Sequence, residues 1–316
     1  MTKLSIVVPC FNEEGNVGLL YEAVVASLSH IIEDTEIIFI NDGSTDGTWK
    51  ALKELSEKSP YRVKAVNFSR NFGKEAALLA GFRESTGAYT AVIDADMQQN
   101  PKYIADMVKI LDEHPEYDAV AAYQEKRKES KILSAFKGAF YKLINHMADV
   151  KFVSAASDFR LLRRVVVDAI LSMPERCRFS KGIFAWVGFE TYYMPYTVER
   201  RATGKSKWSF RKLFSYAVDG ILAFSVKPLV LSSVLGFLFC LLAIVMMLWI
   251  VIKTLIFGDP VPGYPTLASL ILLLSGVQLF SIGILGEYMA KNYTENKARP
   301  VYIVKEISTS EKEDQV

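Results

Sequence analysis

The chain has 316 residues, 51% of them hydrophobic and 23% charged, with a formal net charge of +2. That length admits one large domain or two smaller units. The near-neutral balance, with basic residues gathered around an apolar region after Pro228, points to a membrane surface or phosphate ligands and away from nucleic acid. Cys10, Cys177 and Cys240, like His30, His114 and His146, are scattered without paired spacing, which argues against a disulfide framework or a zinc site.

From Met1 the chain runs straight into an apolar strand pattern, so no signal peptide is expected. Strand patterns over 4–8, 36–40, 63–68 and 89–94 then alternate with helical patterns over 15–29, 48–58 and 74–84. This predicts an α/β fold of mostly parallel strands joined by helical crossovers, whose ligands gather beyond the carboxyl ends of the strands. Four loops should meet there. Pro9, Asn12 and Glu14 follow the first strand, and Asp42, Gly43 and Ser44 the second. Arg70, Asn71, Gly73 and Lys74 follow the third, and Asp94, Asp96 and Gln98 the fourth.

Asp94 and Asp96 invite a metal. Neighbours in a regular strand point to opposite faces, so side chains this close in sequence share a target only where the pleat is already broken. Oxygen ligands without His or Cys select Mg²⁺ or Mn²⁺, which complete their shells with phosphate and water. The competing reading is an Asp that caps a helix starting near Pro101. Neither a Gly-x-x-x-x-Gly-Lys-Ser/Thr loop nor a Gly-x-Gly-x-x-Gly fingerprint follows any strand, so diphosphate charge falls to metal and to side-chain cations. Arg200, Arg201, Lys205 and Lys207, around Gly204 and Ser206, are candidates, although the same run also reads as a basic membrane flank.

Farther along, Phe210, Leu213, Phe214, Ala217, Val218 and Ile221 recur at helical spacing, the pattern of a helix lying in a membrane interface. Ile132, Leu133, Phe136, Phe140 and Leu143 repeat it, with docking on the domain itself as the equal alternative. Residues 229–252 and 266–286 carry no charge and reach about 36 and about 31 Å as helices, enough to span a bilayer. Turn-forming residues, among them Gly258, Pro260 and Pro262, separate them into a hairpin. Lys and Arg cluster outside the hairpin, against a single Lys253 near its loop, so both termini are expected on the cytoplasmic side of the cell membrane. The amphipathic helices and the spans also offer surfaces for a homo-oligomer.

The motifs at 6–14 (IVVPCFNEE), 41–46 (NDGSTD), 70–76 (RNFGKEA) and 94–98 (DADMQ) together resemble glycosyltransferase family 2 with its GT-A fold. Within it they are most similar to the polyprenyl-phosphate glycosyltransferases, which include bactoprenol glucosyltransferases and dolichyl-phosphate mannose synthases. Nearly the whole chain takes part, since bacterial members carry two spans and a tail like Gly286, Glu287, Tyr288 to Arg299, Pro300. The implied division is a cytoplasmic GT-A domain over 1–208, an amphipathic helix over 209–227, a transmembrane hairpin over 228–290 and a cytoplasmic tail over 291–316.

The resemblance implies a UDP-sugar donor carrying glucose or N-acetylglucosamine, an undecaprenyl or other polyprenyl phosphate acceptor, and Mg²⁺ or Mn²⁺. By position, Pro9, Asn12 and Glu14 match the loop around base and ribose, and Asp42 the carboxylate that reads the base. Lys74 joins this nucleotide-sugar set. Asp94 matches the donor-sugar and metal-shell carboxylate, Asp96 the principal metal ligand and Gln98 an auxiliary one. Asp158 matches the acidic residue near the acceptor, and Arg160, Arg201, Ser206 and Lys207 the phosphate and acceptor contacts. Two positions depart from the pattern: Gln99 stands where an acidic residue is common, and Ser180-Lys181-Gly182 where an Arg-Gly pair is frequent. A processive polysaccharide synthase shares the same core but generally carries a Gln-x-x-Arg-Trp motif, which this chain lacks. A membrane subunit that binds nucleotide-sugar without transferring it is the non-enzymatic alternative.

Overall fold

A computed structural model describes residues 2–124, 156–197, 225, 227–257 and 263–310. The amphipathic patterns at 132–143 and 210–221, the hairpin turn at 258–262, and the run holding Arg201, Ser206 and Lys207 lie outside the described residues.

The alternation in the sequence becomes β1 (Leu4–Cys10), α1 (Glu14–Ser27), β2 (Thr35–Asn41), α2 (Thr48–Lys58), β3 (Arg62–Phe68), α3 (Lys74–Glu84), β4 (Tyr89–Val92) and α4 (Lys102–Glu113). β5 (Ala119–Gln124), β6 (Ala156–Arg163), α5 (Arg164–Ser172), α6 (Ser180–Trp186) and β7 (Thr191–Tyr196) complete the first part. Two long helices follow, α7 (Lys227–Phe257) and α8 (Tyr264–Asn296), then β8 (Val304–Thr309). All eight strands form one sheet in the order β7-β5-β6-β4-β1-β2-β3-β8. The four central strands are parallel, while β6 runs antiparallel to β4 and β5, and β8 antiparallel to β3.

Helices cover both faces, which is why β2 is buried throughout and reads as an unbroken apolar run in its middle. Period-2 alternation divides its side chains: Ile37 and Phe39 join the core under α1, α2 and α4, whereas Ile38 and Ile40 pack with α3. Each fully buried side chain of this size contributes about 1.5–3 kcal/mol. At Gly81 of α3 a Cβ would stand 2.1 Å from Val7 Cγ1, so glycine permits the close approach of that helix to β1.

At about 1.5 Å per residue, α7 and α8 are each more than 45 Å long. Lys227–Met246 and Leu273–Asn296 are long and apolar enough to cross a membrane, and they lie uncovered by the rest of the protein. Phe237, Leu279 and Ile282 stand 68%, 70% and 63% exposed, an arrangement suited to lipid.

Within the stretch expected as a tail, 291–316, the chain returns from α8 to the sheet. β8 closes the β3 edge, and Tyr302 stacks on Phe68 with centroids 4.9 Å apart. Glu306 receives Lys53 Nζ at 2.6 Å and Trp49 Nε1 at 3.2 Å. Tyr288 of α8 donates from its hydroxyl to Ser225 O, just before α7, and Glu295 of α8 accepts from Arg176 N, so the start of α7 and the end of α8 lie beside the sheet domain.

Candidate active site

The carboxyl ends of the parallel strands carry the four polar loops, and each loop holds one backbone in the left-handed region. Asn12, Gly43, Gly73 and Met97 have φ of 55°, 61°, 97° and 60°. A non-glycine residue there carries backbone strain, which the surrounding structure sustains mostly at functional sites. Gly43 has no alternative, since a Cβ would stand 2.2 Å from the carbonyl carbon of Arg70.

Side chains stitch the loops together in sheet order. Asn12 Oδ1 accepts from Thr45 N at 2.9 Å, its own N–H donates to Ser44 Oγ at 2.9 Å, and Glu14 Oε2 accepts from Gly47 N at 3.0 Å. Asp42, 4% exposed, binds the next loop: Oδ1 accepts from Phe72 N at 2.7 Å and Oδ2 from Gly73 N at 2.9 Å. Burial raises the Asp42 carboxyl above its ordinary pKa, against the pull of those two N–H groups. Both oxygens are engaged by backbone: Oδ1 also accepts from Gly73 N at 3.2 Å, and Oδ2 keeps a lone pair for a further donor.

β4 ends at Val92, so the regular pleat ends before Asp94. The alternative role as helix caps does not apply, because the N–H of Lys102 at the start of α4 is taken by Asn100 Oδ1 at 3.0 Å. Asp94 instead receives Lys74 Nζ on Oδ1 at 2.6 Å and Gln99 Nε2 on Oδ2 at 3.0 Å. Gln99 Oε1 also accepts from Asp94 N at 2.9 Å. An amide donates and accepts at once, which an ionised acid at position 99 cannot do. Asp96 Oδ1 accepts from Gln98 N at 3.2 Å.

Antiparallel register brings in the remaining carboxylate. Val92 pairs with Arg160 across β4 and β6, which sets Asp158 level with Asp94 two residues farther on. Lys74 Nζ lies between them, 2.8 Å from Asp158 Oδ2. Burial tends to raise the Asp158 carboxyl, but Lys74, Lys181 and Arg160 outweigh it and hold the group at about 2. Burial likewise opposes the charge on Lys74, and Asp94 with Asp158 overcomes it, raising the amine above its ordinary pKa. Lys181 thus joins the electrostatics of Asp158.

Arg160 is only 6% exposed; its Nη2 donates to Ser157 O at 2.9 Å and its guanidinium lies 3.5 Å over the Phe184 ring. It sits beneath Asp158, and burial lowers its pKa to about 10. Two side chains that sequence reasoning left without a role are built in here. Gln99 is one. Glu75 is the other: its Oε2 accepts from Ser180 N at 2.8 Å and from Ser180 Oγ, fixing α6 against the start of α3, and burial raises its carboxyl pKa. Glu75 follows the loop of the third motif, and Ser180 precedes Lys181.

Among the described residues no group of three or more His, Cys, Asp or Glu side chains could hold a metal ion by itself. The donors present at the fourth loop are carboxylate and amide oxygens, and Asp94 already serves Lys74 and Gln99. That set fits Mg²⁺ or Mn²⁺, which need only one or two protein carboxylates when substrate phosphate and water supply the rest.

Residues 5–171 match glycosyl transferase family 2, and residues 227–291 match the GtrB C-terminal hairpin. The bactoprenol glucosyl transferase of Shigella phage SfV is 38% identical over 303 residues, covering 96% of this chain and 98% of that one. The prophage bactoprenol glucosyl transferase homolog of Escherichia coli (strain K12) is 37% identical over 305 residues, covering 96% and 99%. The uncharacterized glycosyltransferase sll0501 of a Synechocystis strain is 42% identical over 306 residues, covering 96% and 95%.

Proposed function

Since the chain belongs to glycosyl transferase family 2, we propose that this glycosyltransferase moves one sugar, glucose or N-acetylglucosamine, from a UDP donor to a polyprenyl phosphate at the cytoplasmic face of the cell membrane. The observation that carries the reading is Lys74 held between Asp94 and Asp158 at the sheet edge, in a chain that also carries two long apolar helices. The names of the full-length relatives support the lipid acceptor and the glucose.

Asn12, Glu14 and Asp42, with Pro9, form the nucleoside end of the cleft. Asp94 and Lys74 face the donor's sugar and diphosphate, and Asp96 with Gln98 and Asp94 would hold the divalent cation. Such a cation supplies positive charge where the leaving diphosphate gathers negative charge. Lys74 supplies a second positive charge from the protein, fixed in place before substrate arrives. Asp158, with Arg160 beneath it, keeps Lys74 charged and positioned. Arg201, Ser206 and Lys207, beyond the described residues, meet the phosphate groups.

The acceptor is its own nucleophile. A phosphate monoester with a second pKa of about 6 is mostly dianionic at neutral pH, so no base has to remove a proton. One of its oxygens bonds to the anomeric carbon while the bond from that carbon to the donor's phosphate oxygen breaks, and the electron pair leaves with UDP. Asp158, held at about 2, is too weak a base to take part and acts by charge and orientation. Attack from the opposite face inverts the anomeric centre.

A donor panel with the detergent-purified full chain, undecaprenyl phosphate and Mg²⁺ or Mn²⁺ tests the reading. UDP-glucose or UDP-N-acetylglucosamine should give an inverted lipid-linked sugar, and both chelation and Asp96→Asn should abolish it in folded protein. Turnover unaffected by either treatment removes the metal role, and retention of configuration removes direct attack.

A further inference from the structure

Away from the cleft, a cavity of about 450 Å³ opens where the catalytic domain meets the end of α8. Phe72, Glu75, Arg176 and Arg178 wall it on one side, Lys297 and Arg299 on the other. Four cations thus border one void with a single carboxylate among these residues. Tyr293 and Pro300 add apolar surface.

The seam is held by directional contacts that a simple basic membrane flank does not need. Glu295 Oε1 accepts from Arg176 N at 2.8 Å and from Cys177 N at 2.6 Å, tying α8 to the segment after α5. Arg176 Nε donates to Arg299 O at 3.0 Å. Arg178 Nη2 and Nη1 donate to Ile170 O at 3.3 Å and Met173 O at 3.2 Å, closing the end of α5. Those contacts fix the wall, and Arg176 Nη1 also meets Glu295 Oε2 at 4.0 Å, so the unpaired charges that line the void are those of Lys297 and Arg299. Lys297 and Arg299 form no ion pair with any described residue; Lys297 rests 4.2 Å over the Tyr293 ring.

Position along α8 selects the ligand. Within the apolar stretch Leu273–Asn296, charge enters after Gly286 at Glu287, Lys291 and Glu295, and Tyr293 lies seven residues past Gly286, about 10 Å along the helix. The polar layer of a bilayer is about 5–8 Å deep on each side. A lipid phosphate therefore reaches the lower lip of the cavity by rising a few ångströms. On the inner wall, Glu75 directly follows Lys74 and binds Ser180, the neighbour of Lys181. Glu75 thus joins the wall of the cavity to the first turn of the helix that carries Lys74.

We infer that this cavity is a phosphate-monoester site, and that the headgroup of the lipid acceptor occupies it between the bilayer and Lys74. Recognition is of the phosphoryl group, through the charges of Lys297 and Arg299. The inference rests on the acceptor being a polyprenyl phosphate, as proposed above.

Equilibrium binding to the full chain in detergent, without donor, tests it by native mass spectrometry. The ligands are undecaprenyl phosphate, undecaprenol and inorganic phosphate, and the proteins are wild type and Lys297→Ala/Arg299→Ala. Loss of two charge-assisted contacts should weaken undecaprenyl phosphate binding by about tenfold or more and leave undecaprenol unchanged. Inorganic phosphate competing in the wild type alone marks recognition of any phosphoryl group; no competition, with the tenfold loss retained, marks the lipid headgroup as the ligand. Equal undecaprenyl phosphate binding by both proteins overturns the inference. Should the wild type bind but transfer no sugar, the proposed function fails while the site stands; should it transfer sugar with variant binding unchanged, only the site fails.

Discussion

Asp158 stands level with Asp94 across the β4–β6 ladder, and Lys74 occupies the space between them, 2.8 Å from one and 2.6 Å from the other. Without the amine, two carboxylates would face each other with no cation between them. Replacing Lys74 with Met should lower kcat by about 100-fold, as expected for loss of a fixed charge at the leaving group. The three side chains are 40%, 31% and 18% exposed, so the stability cost should be about 1–2 kcal/mol, between the exposed and fully buried limits. Steady-state kinetics beside thermal unfolding checks both; near-normal turnover would contradict the assignment.

Gly43 allows the Asp42 loop to lie against Arg70. Gly43→Ala meets both a positive φ and a 2.2 Å approach to backbone carbon, so the loop must move, at a cost of about 2 kcal/mol or more. Binding of UDP, followed calorimetrically, should weaken by about tenfold. Unchanged affinity would show that this loop does not shape the nucleoside site.

The returning strand makes the tail part of the catalytic domain. Tyr302→Ala removes the stack on Phe68 and the hydrogen bond from Arg83 Nη1 at 3.3 Å, and should cost about 2 kcal/mol. Limited proteolysis should then cut first near β8. An unaltered unfolding temperature and cleavage pattern would contradict the packing of this edge.

Two partly buried carboxyls act on stability in opposite directions. Asp158, lowered from 3.8 to about 2, stabilises the fold fully above the ordinary carboxylate range, and that contribution is lost as pH falls from about 4 to about 2. Glu75 is raised, so the native state holds its proton where the unfolded chain has released it, and stability falls as pH rises above 4.5. Glu75→Gln should flatten that decline without abolishing it, because Asp42 is raised too. Unfolding temperatures of both proteins across mildly acidic pH give the slopes; parallel curves would contradict the effect of Glu75.

Much of this was legible in the residues. The strands and helices up to α4 follow from apolar periodicity, and the four loops converge because parallel strands share a carboxyl edge. What was hidden is non-local. Asp158 is 64 positions from Asp94, and only the antiparallel turn of β6 makes them neighbours. VKEIST at 304–309 looks like a charged tail, because half of its pattern faces water and its partner strand lies more than 200 residues earlier. Gln99 was visible as a departure, but its use depends on the backbone bend that turns its amide onto Asp94.

Transfer to lipid is the central claim, and mass spectrometry of the lipid after incubation with UDP-glucose tests it most directly. Undecaprenyl phosphate supplied to the purified full chain with Mg²⁺ or Mn²⁺ should gain one hexose, while undecaprenol, which lacks the nucleophilic phosphate, should gain none. Donor consumed without any gain on undecaprenyl phosphate, or repeated additions to a single lipid, would contradict the account.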